Sequence, residues 1–247
     1  MARWWAKRVA PAIGLAMGMS TLRGPALHTA LATGVATQPT PTTDTTGAPA
    51  TATPEIAETG SRRVLFRDDF SDPTSGWPRE SENPASRRLG YEGGEYLITR
   101  IAGSGSSPFV STSVRFDDCL IELDARLSPP AQGAYVYLDF RRQPNGGRYS
   151  FVVDPGNRTF LLRRYEGQGG TDLLPWTPSA AINGDTARNR LAVRVSGSDI
   201  SLRINGQEVG QARDATYSEG QLAFGVGHFR DGPAEARFSN LIVSAVP

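Results

Sequence analysis

Residues 134–154, AYVYLDFRRQPNGGRYSFVVD, followed by RTFLLRRYEG (158–167) and DLLPWTPSAAI (172–182), decide how this chain folds. The apolar residues recur at every second position, and Pro144-Asn145-Gly146-Gly147 and Asp154-Pro155-Gly156-Asn157 interrupt them with turn chemistry. Such a pattern predicts consecutive antiparallel strands. Burying Val136, Leu138 and Phe140 leaves Tyr135, Tyr137, Asp139 and Arg141 on the opposite face. Burying Tyr149, Phe151 and Val153 turns Arg148, Ser150, Val152 and Asp154 outward, and burying Phe160 and Leu162 does the same for Leu161, Arg163 and Tyr165. Adjacent strands then gather Tyr137, Asp139, Arg141, Ser150 and Arg163 on one surface.

The same alternation extends in both directions. Val64–Phe70, Tyr91–Ile101 with its Gly93-Gly94 turn, Pro108–Phe116 and Cys119–Leu127 precede the central stretch. Arg190–Ser196, Ile200–Ile204, Gln207–Arg213, Gly220–Val226 and Ala236–Val243 follow it, with the hairpin signal Asn205-Gly206 between two of them. No segment has a convincing amphipathic helical period. About a dozen short strands at this spacing predict an all-β sandwich of two packed antiparallel sheets, because a single open sheet of that size is exceptional.

Composition divides the 247 residues into three parts. Residues 1–36 carry a basic start (Arg3, Lys7, Arg8), an apolar run from Val9 to Leu22 and small-x-small sites at Ala30–Ala32 and Gly34–Ala36, the pattern of a signal peptide or export segment. Residues 37–60 are dominated by Thr, Pro and Ala without an apolar face and read as a disordered linker. Residues 61–247 mix apolar, aromatic and charged residues as a packed domain does, so the expected product is a secreted or extracytoplasmic β-sandwich, held on a stalk and associated with a cell surface.

Charge and reactive residues narrow the function. The net charge of +1 provides no field for nucleic acid or an acidic surface. Cys119 is the single cysteine and reads as a small buried hydrophobe; with His228 the lone histidine beyond the leader, a His/Cys metal site is not expected. The loop Gly103–Ser106 is no nucleophile elbow. On the predicted open face, aromatic rings suit the C–H faces of a sugar, while Arg and Asp suit its hydroxyls. The candidate ligand-binding set is Tyr137, Asp139, Arg141, Ser150, Arg163 and Trp176, with a glycan or polysaccharide as partner. An ordinary solvated face, on which Arg and Asp pair with each other, stands beside that reading. Trp176 and Trp77 each read either as a cap on the sandwich edge or as a stacking platform.

The ordered segments DDFSDPTSGWP (68–78), YEGGEYLI (91–98), IELDARL (121–127), DFRRQPNGGRYSF (139–151), LPWTPSAAI (174–182), NRLAVRVSGSDISLRINGQEV (189–209) and GQLAFGVG (220–227) resemble the concanavalin A-like lectin/glucanase superfamily. More narrowly they are similar to bacterial LamG-like domains grouped with family-16 glycoside hydrolases and 3-keto-disaccharide hydrolases. The resemblance implies a two-sheet jelly roll whose concave face receives glycans. Family-16 glucanases carry an E-x-D-x-x-E strand; the nearest match, Glu122 to Leu127, has Leu127 at the acid/base position. Retaining hydrolysis needs two carboxyl groups about 5 to 5.5 Å apart, so the departure favours a non-catalytic binding or adhesion module. The alternatives are a 3-keto-disaccharide-type hydrolase using Asp139 and Glu122, and a structural protein-interaction domain. No cofactor is expected; Phe238-Ser239-Asn240 departs from the FDN of such domains and leaves a structural calcium near Asp69 open.

Overall fold

Two-residue alternation, once folded, produces two stacked sheets. The computed structural model describes residues 62–79, 87–105, 107–167, 169–184 and 186–246; the expected export segment and linker lie outside the described residues. Fourteen strands are present and no helix among the described residues. They are β1 (Val64–Asp68), β2 (Arg87–Glu92), β3 (Glu95–Arg100), β4 (Phe109–Phe116), β5 (Cys119–Leu127), β6 (Ala134–Arg142) and β7 (Arg148–Asp154). The remainder are β8 (Thr159–Glu166), β9 (Gly169–Pro178), β10 (Asn189–Ser196), β11 (Asp199–Ile204), β12 (Gln207–Arg213), β13 (Gly220–His228) and β14 (Ala234–Ala245).

One sheet has six strands in the order β4-β13-β6-β7-β8-β9, and the other runs β12-β11-β10-β5-β14-β3-β2 with β1 also on β14. Every pairing is antiparallel. The sheets bury their facing sides against each other. Val136, Leu138, Phe140, Phe151, Val153, Phe160 and Leu162 meet Leu123, Leu191, Val193, Leu202 and Phe238 in one core, each at most 1% exposed. Each large side chain so buried contributes about 1.5–3 kcal/mol. Trp77 belongs to this core, its indole nitrogen donating to Asp68 Oδ2 at 2.8 Å and its ring 5.2 Å from Phe224. Cys119 is 1% exposed, and burial pushes its thiol up to about 12, the inert hydrophobe expected.

The alternation expected for β6 holds from Val136 to Phe140 and fails at Arg141. Opposite Asp139 to Arg142 stand only Ala223 to Gln221, so β6 carries an extra residue against β13. Arg141 takes φ +50, and a β-bulge follows. Gly220 permits it, since a Cβ there would lie 2.2 Å from the Arg141 carbonyl carbon. The consequence corrects the sequence reading: Arg141 does not reach the outer face with Tyr137 and Asp139. Its guanidinium, 2% exposed, reaches a turn of the other sheet and two connections between the sheets, donating at 2.9 Å to Gly197 O, Tyr217 O and Asp118 Oδ1. Arg142 takes the outer position instead.

Asp214, in the β12–β13 connection, ties the same end together. It accepts from Tyr149 Oη at 2.6 Å and from Thr216 N at 2.9 Å, and it pairs with Arg164. Burial disfavours its charge, but the hydrogen bonds from Tyr149 and Thr216 and the contact with Arg164 outweigh it and hold the carboxyl down at about 2.

Two outcomes are expected from these staples. Arg141→Ala should lower unfolding stability in urea by about 2–4 kcal/mol, because two carbonyls and a carboxylate lose a charged donor, while the outer face stays intact. A carboxyl depressed in the folded state stabilises fully above its unfolded value near 3.8 and loses that contribution as pH falls. The pH-dependent part of the stability difference between parent and Asp214→Asn should therefore be on the order of 1 kcal/mol after solvent screening, and should vanish between about pH 4 and pH 2 in thermal melts.

Candidate functional site

The outer face of β6, β7 and β8 is not a plain solvated surface. Tyr137, Val152 and Leu161 form a small apolar cluster there, each below 8% exposure, joined by Phe109 and Tyr135. These side chains floor a groove of about 550 Å³ on the six-stranded sheet. Of the six residues singled out in the sequence, Tyr137, Asp139, Ser150, Arg163 and Trp176 line it, and Arg141 does not.

The polar centre of the groove is Asp139, 1% exposed, directly across from Ser150 on β7. Its Oδ2 lies 2.9 Å from Arg148 Nε and 3.6 Å from an Arg142 terminal nitrogen. The approach of Arg148 is a charge contact and not an aligned hydrogen bond, since Arg148 Nε and Asp139 Oδ1 are both buried without a hydrogen-bond partner. Burial pushes the Asp139 carboxyl upward, opposed by Arg148, Ser150 and Arg142. A buried acceptor without a partner costs about 1–3 kcal/mol, an unusual feature for a purely structural sheet face.

Each neighbouring cation is held flat against a ring. Arg142 lies 4.3 Å over Phe109 and Arg148 lies 4.0 Å over Tyr165. Arg163 pairs with Asp172 of β9, which keeps it at the groove margin. Tyr137 contributes a surface and not a free hydroxyl: the hydroxyl donates to Ser107 O at 2.8 Å and to Pro108 O at 3.1 Å, and burial pushes the phenol well above its ordinary value.

The aromatic wall stands at the opposite end from Arg148. Trp176 of β9 and Phe229 just past β13 are 40% and 51% exposed, with ring centroids 5.6 Å apart. Tyr135 lies 4.7 Å from Phe229 and 6.3 Å from Tyr137. Trp176 is thus exposed on the groove, whereas Trp77 is core.

Two devices position this wall. Gly225 and Gly227 leave β13 bare beneath the tyrosines: a Cβ on Gly227 would come within 2.3 Å of the Tyr135 ring, and one on Gly225 within 2.6 Å of the Tyr137 hydroxyl. The loop bearing Phe229 is pinned from the other sheet. Arg100, 3% exposed, donates to Gly232 O and Asp231, and Phe229 N donates to Gly133 O at 2.9 Å.

Sequence reasoning overlooked Tyr135, Arg142, Arg148 and Phe229. Tyr135 and Arg148 were on the outward side of the strand alternation and simply not selected. Arg142 was concealed by the bulge. Phe229 sits in a turn, where the one available signal was an exposed aromatic within Gly227-His228-Phe229-Arg230-Asp231-Gly232.

The carboxylates of the glucanase-like strand fall elsewhere. Glu122 and Asp124 lie on β5 in the eight-stranded sheet, where both engage Arg190. Among the described residues Asp139 is the one carboxylate lining the groove. Asp139 and Glu122, the pair required by the hydrolase alternative, are therefore on different sheets. Near Asp69, Glu95 is engaged by Arg126 and Arg188, Asp69 accepts from Ser71 through Oδ1, and Asn240 donates to Asp124. Among the described residues no three His, Cys, Asp or Glu side chains cluster as metal ligands.

The architecture is similar to several solved enzymes. A Bacillus licheniformis β-glucanase superposes with a TM-score of 0.57 at 11% identity, over 75% of this chain and 100% of that one. The κ-carrageenase from Pseudoalteromonas carrageenovora, solved with an oligotetrasaccharide of κ-carrageenan, gives 0.55 at 10% identity over 78% and 99%. A prokaryotic β-1,3-1,4-glucanase derived from a mouse hindgut metagenome gives 0.53 at 11% over 73% and 99%. No family model and no curated protein matches the sequence. The fold is the concanavalin A-like jelly roll that the sequence resemblance implies.

Gly227→Ala tests how the wall is built. The added methyl should displace Tyr135 from Phe229, lower stability by about 1–3 kcal/mol through overpacking, and change the near-ultraviolet circular dichroism of the aromatic cluster.

Proposed function

We propose that this protein is a non-catalytic carbohydrate-binding module that holds a glycan in the groove of the six-stranded sheet. The observation that carries the reading is the division of the groove into an exposed aromatic wall, Trp176, Phe229 and Tyr135, and a polar centre, Asp139 with Arg142, Arg148 and Ser150. A pyranose has the same division: an apolar C–H face and a hydroxyl rim. In this arrangement the sugar ring lies against Trp176 and Phe229. Its hydroxyls are directed to the arginine-flanked Asp139, whose Oδ1 has no partner within the protein.

Holding is favoured over cleavage by the carboxylates. Hydrolysis with retention places two carboxyl groups on either side of one bond, whereas this groove offers Asp139 alone, already compensated by two guanidinium groups. An export segment at 1–36 and a Thr/Pro-rich linker at 37–60 would display the module outside the cytoplasm, on a cell surface or free in the medium. No helix of the described residues is long and apolar enough to cross a membrane.

Affinity-gel retardation and calorimetry of the full chain against a panel of neutral polysaccharides test the proposal. A retained polysaccharide should bind about tenfold more weakly to Trp176→Ala/Phe229→Ala, on the order of 1.4 kcal/mol. Arg141→Ala, corrected for its unfolded fraction, should bind as the parent does. Retention that survives loss of both rings would contradict the assignment of the groove.

A further inference from the structure

A second hollow, of about 360 Å³, lies on the outer face of the eight-stranded sheet, a different sheet from that of the aromatic groove. Its strands alternate strictly. Leu191, Val193 and Val195 of β10 and Ile200, Leu202 and Ile204 of β11 are at most 1% exposed in the core, which sends Arg190, Ala192 and Arg194 outward beside Ser201 and Arg203. Ala192 pairs with Arg203, and Arg194 pairs with Ser201. Arg203 therefore has Arg190 and Arg194 as its two diagonal neighbours, each about 7–8 Å away by strand geometry. Arg62 completes the rim.

The acidic groups on this face leave that cluster only partly compensated. Glu122, across from Ala192 on β5, and Asp124 both engage Arg190. Glu208 is opposite Arg203 in the ladder, yet bonds Ser201 at 3.3 Å and Gln211 at 2.6 Å. Asp199 is bonded by Arg213 at 2.7 Å and attracts Arg194 only through space. Arg62, Arg194 and Arg203 have no hydrogen bond, ion pair or ring contact among the described residues. At diagonal positions long arginine side chains are within reach of one another, and their like charges repel. Three such guanidinium groups around a concavity floored by Ala192 are what an anion would reward.

We infer that this hollow is an oxyanion site that takes the carboxylate or sulfate-ester group of an acidic glycan. Guanidinium groups bind such planar or multidentate oxyanions through paired hydrogen bonds, and three that have no ion pair line this hollow. Nucleic acid fits less well. Among the described residues no aromatic side chain lines the hollow for base stacking, Glu122 stands at its edge against a phosphate backbone, and the net charge of +1 gives no extended positive surface. The inference does not rest on the groove reading: the two sites are on separate sheets and use opposite chemistries. Together they would let one module engage a neutral and an acidic chain at once.

Thermophoretic titration of the full chain with polygalacturonate, dextran sulfate, neutral dextran and a 30-base-pair DNA duplex tests it. Polygalacturonate carries the carboxylate and dextran sulfate the sulfate ester, so the two arms identify which oxyanion is taken. At least one acidic polymer should bind, more weakly as salt is raised. Arg194→Gln/Arg203→Gln should weaken that binding at least tenfold with little change in melting temperature, since both side chains are exposed. Trp176→Ala/Phe229→Ala should change it less than twofold. The site is overturned if neither acidic polymer binds, if the double arginine variant binds as the parent does, if loss of the two rings abolishes acidic binding, or if duplex DNA binds as tightly as the acidic polymers.

Discussion

Asp139 imposes the constraint on which the groove depends. A carboxylate 1% exposed on the outer face of a sheet must be compensated, and here the compensation comes from two strands: Arg148 of β7, and Arg142 of β6 brought round by the bulge. The two cations in turn require rings to lie on, Tyr165 and Phe109. A single buried charge thus accounts for the two groove arginines and for the rings on which they rest. The same positive-φ residue that delivers Arg142 outward sends Arg141 across to the other sheet, so one backbone irregularity serves both the site and the stability of the sandwich end.

The two outer faces of the sandwich follow opposite rules. On the six-stranded sheet every arginine of the groove is paired or stacked, and glycines on β13 lower the backbone so that tyrosines can lie flat. On the eight-stranded sheet the hollow around Ala192 is lined by four arginines, one glutamate and no ring among the described residues, and Arg62, Arg194 and Arg203 have no ion pair there. A fold with one core and two solvent faces can differentiate them independently, because strand alternation insulates each face from the core between them.

Much of this was legible in the sequence. The alternation in Ala134–Arg142, Arg148–Asp154 and Thr159–Tyr165 assigned Val136, Leu138, Phe140, Tyr149, Phe151, Phe160 and Leu162 to the core, where they are. The outward set was right wherever alternation was unbroken. It failed at Arg141 because a left-handed residue in a strand has no period-two signature, and the glycine that permits it, Gly220, is distant in sequence. The bounds of the strand Gly169–Pro178 are not legible, because an exposed edge strand with two prolines carries no alternating apolar signal. Phe229 was hidden for a topological reason, since its placement depends on Arg100 from the opposite sheet. Which sheet holds Glu122 and which holds Asp139 is likewise a matter of strand order, which no local pattern records.

The most direct measurement is a nuclear magnetic resonance titration of the isotope-labelled protein with the oligosaccharide of a neutral polymer that it retains. Glycan held in the groove predicts that the largest shifts fall on the Trp176 indole N–H, the Phe229 ring and the Arg148 guanidinium, with the core signals of Leu191 and Leu202 unmoved. Shifts spread evenly over both faces, or confined to residues outside the groove, would contradict it.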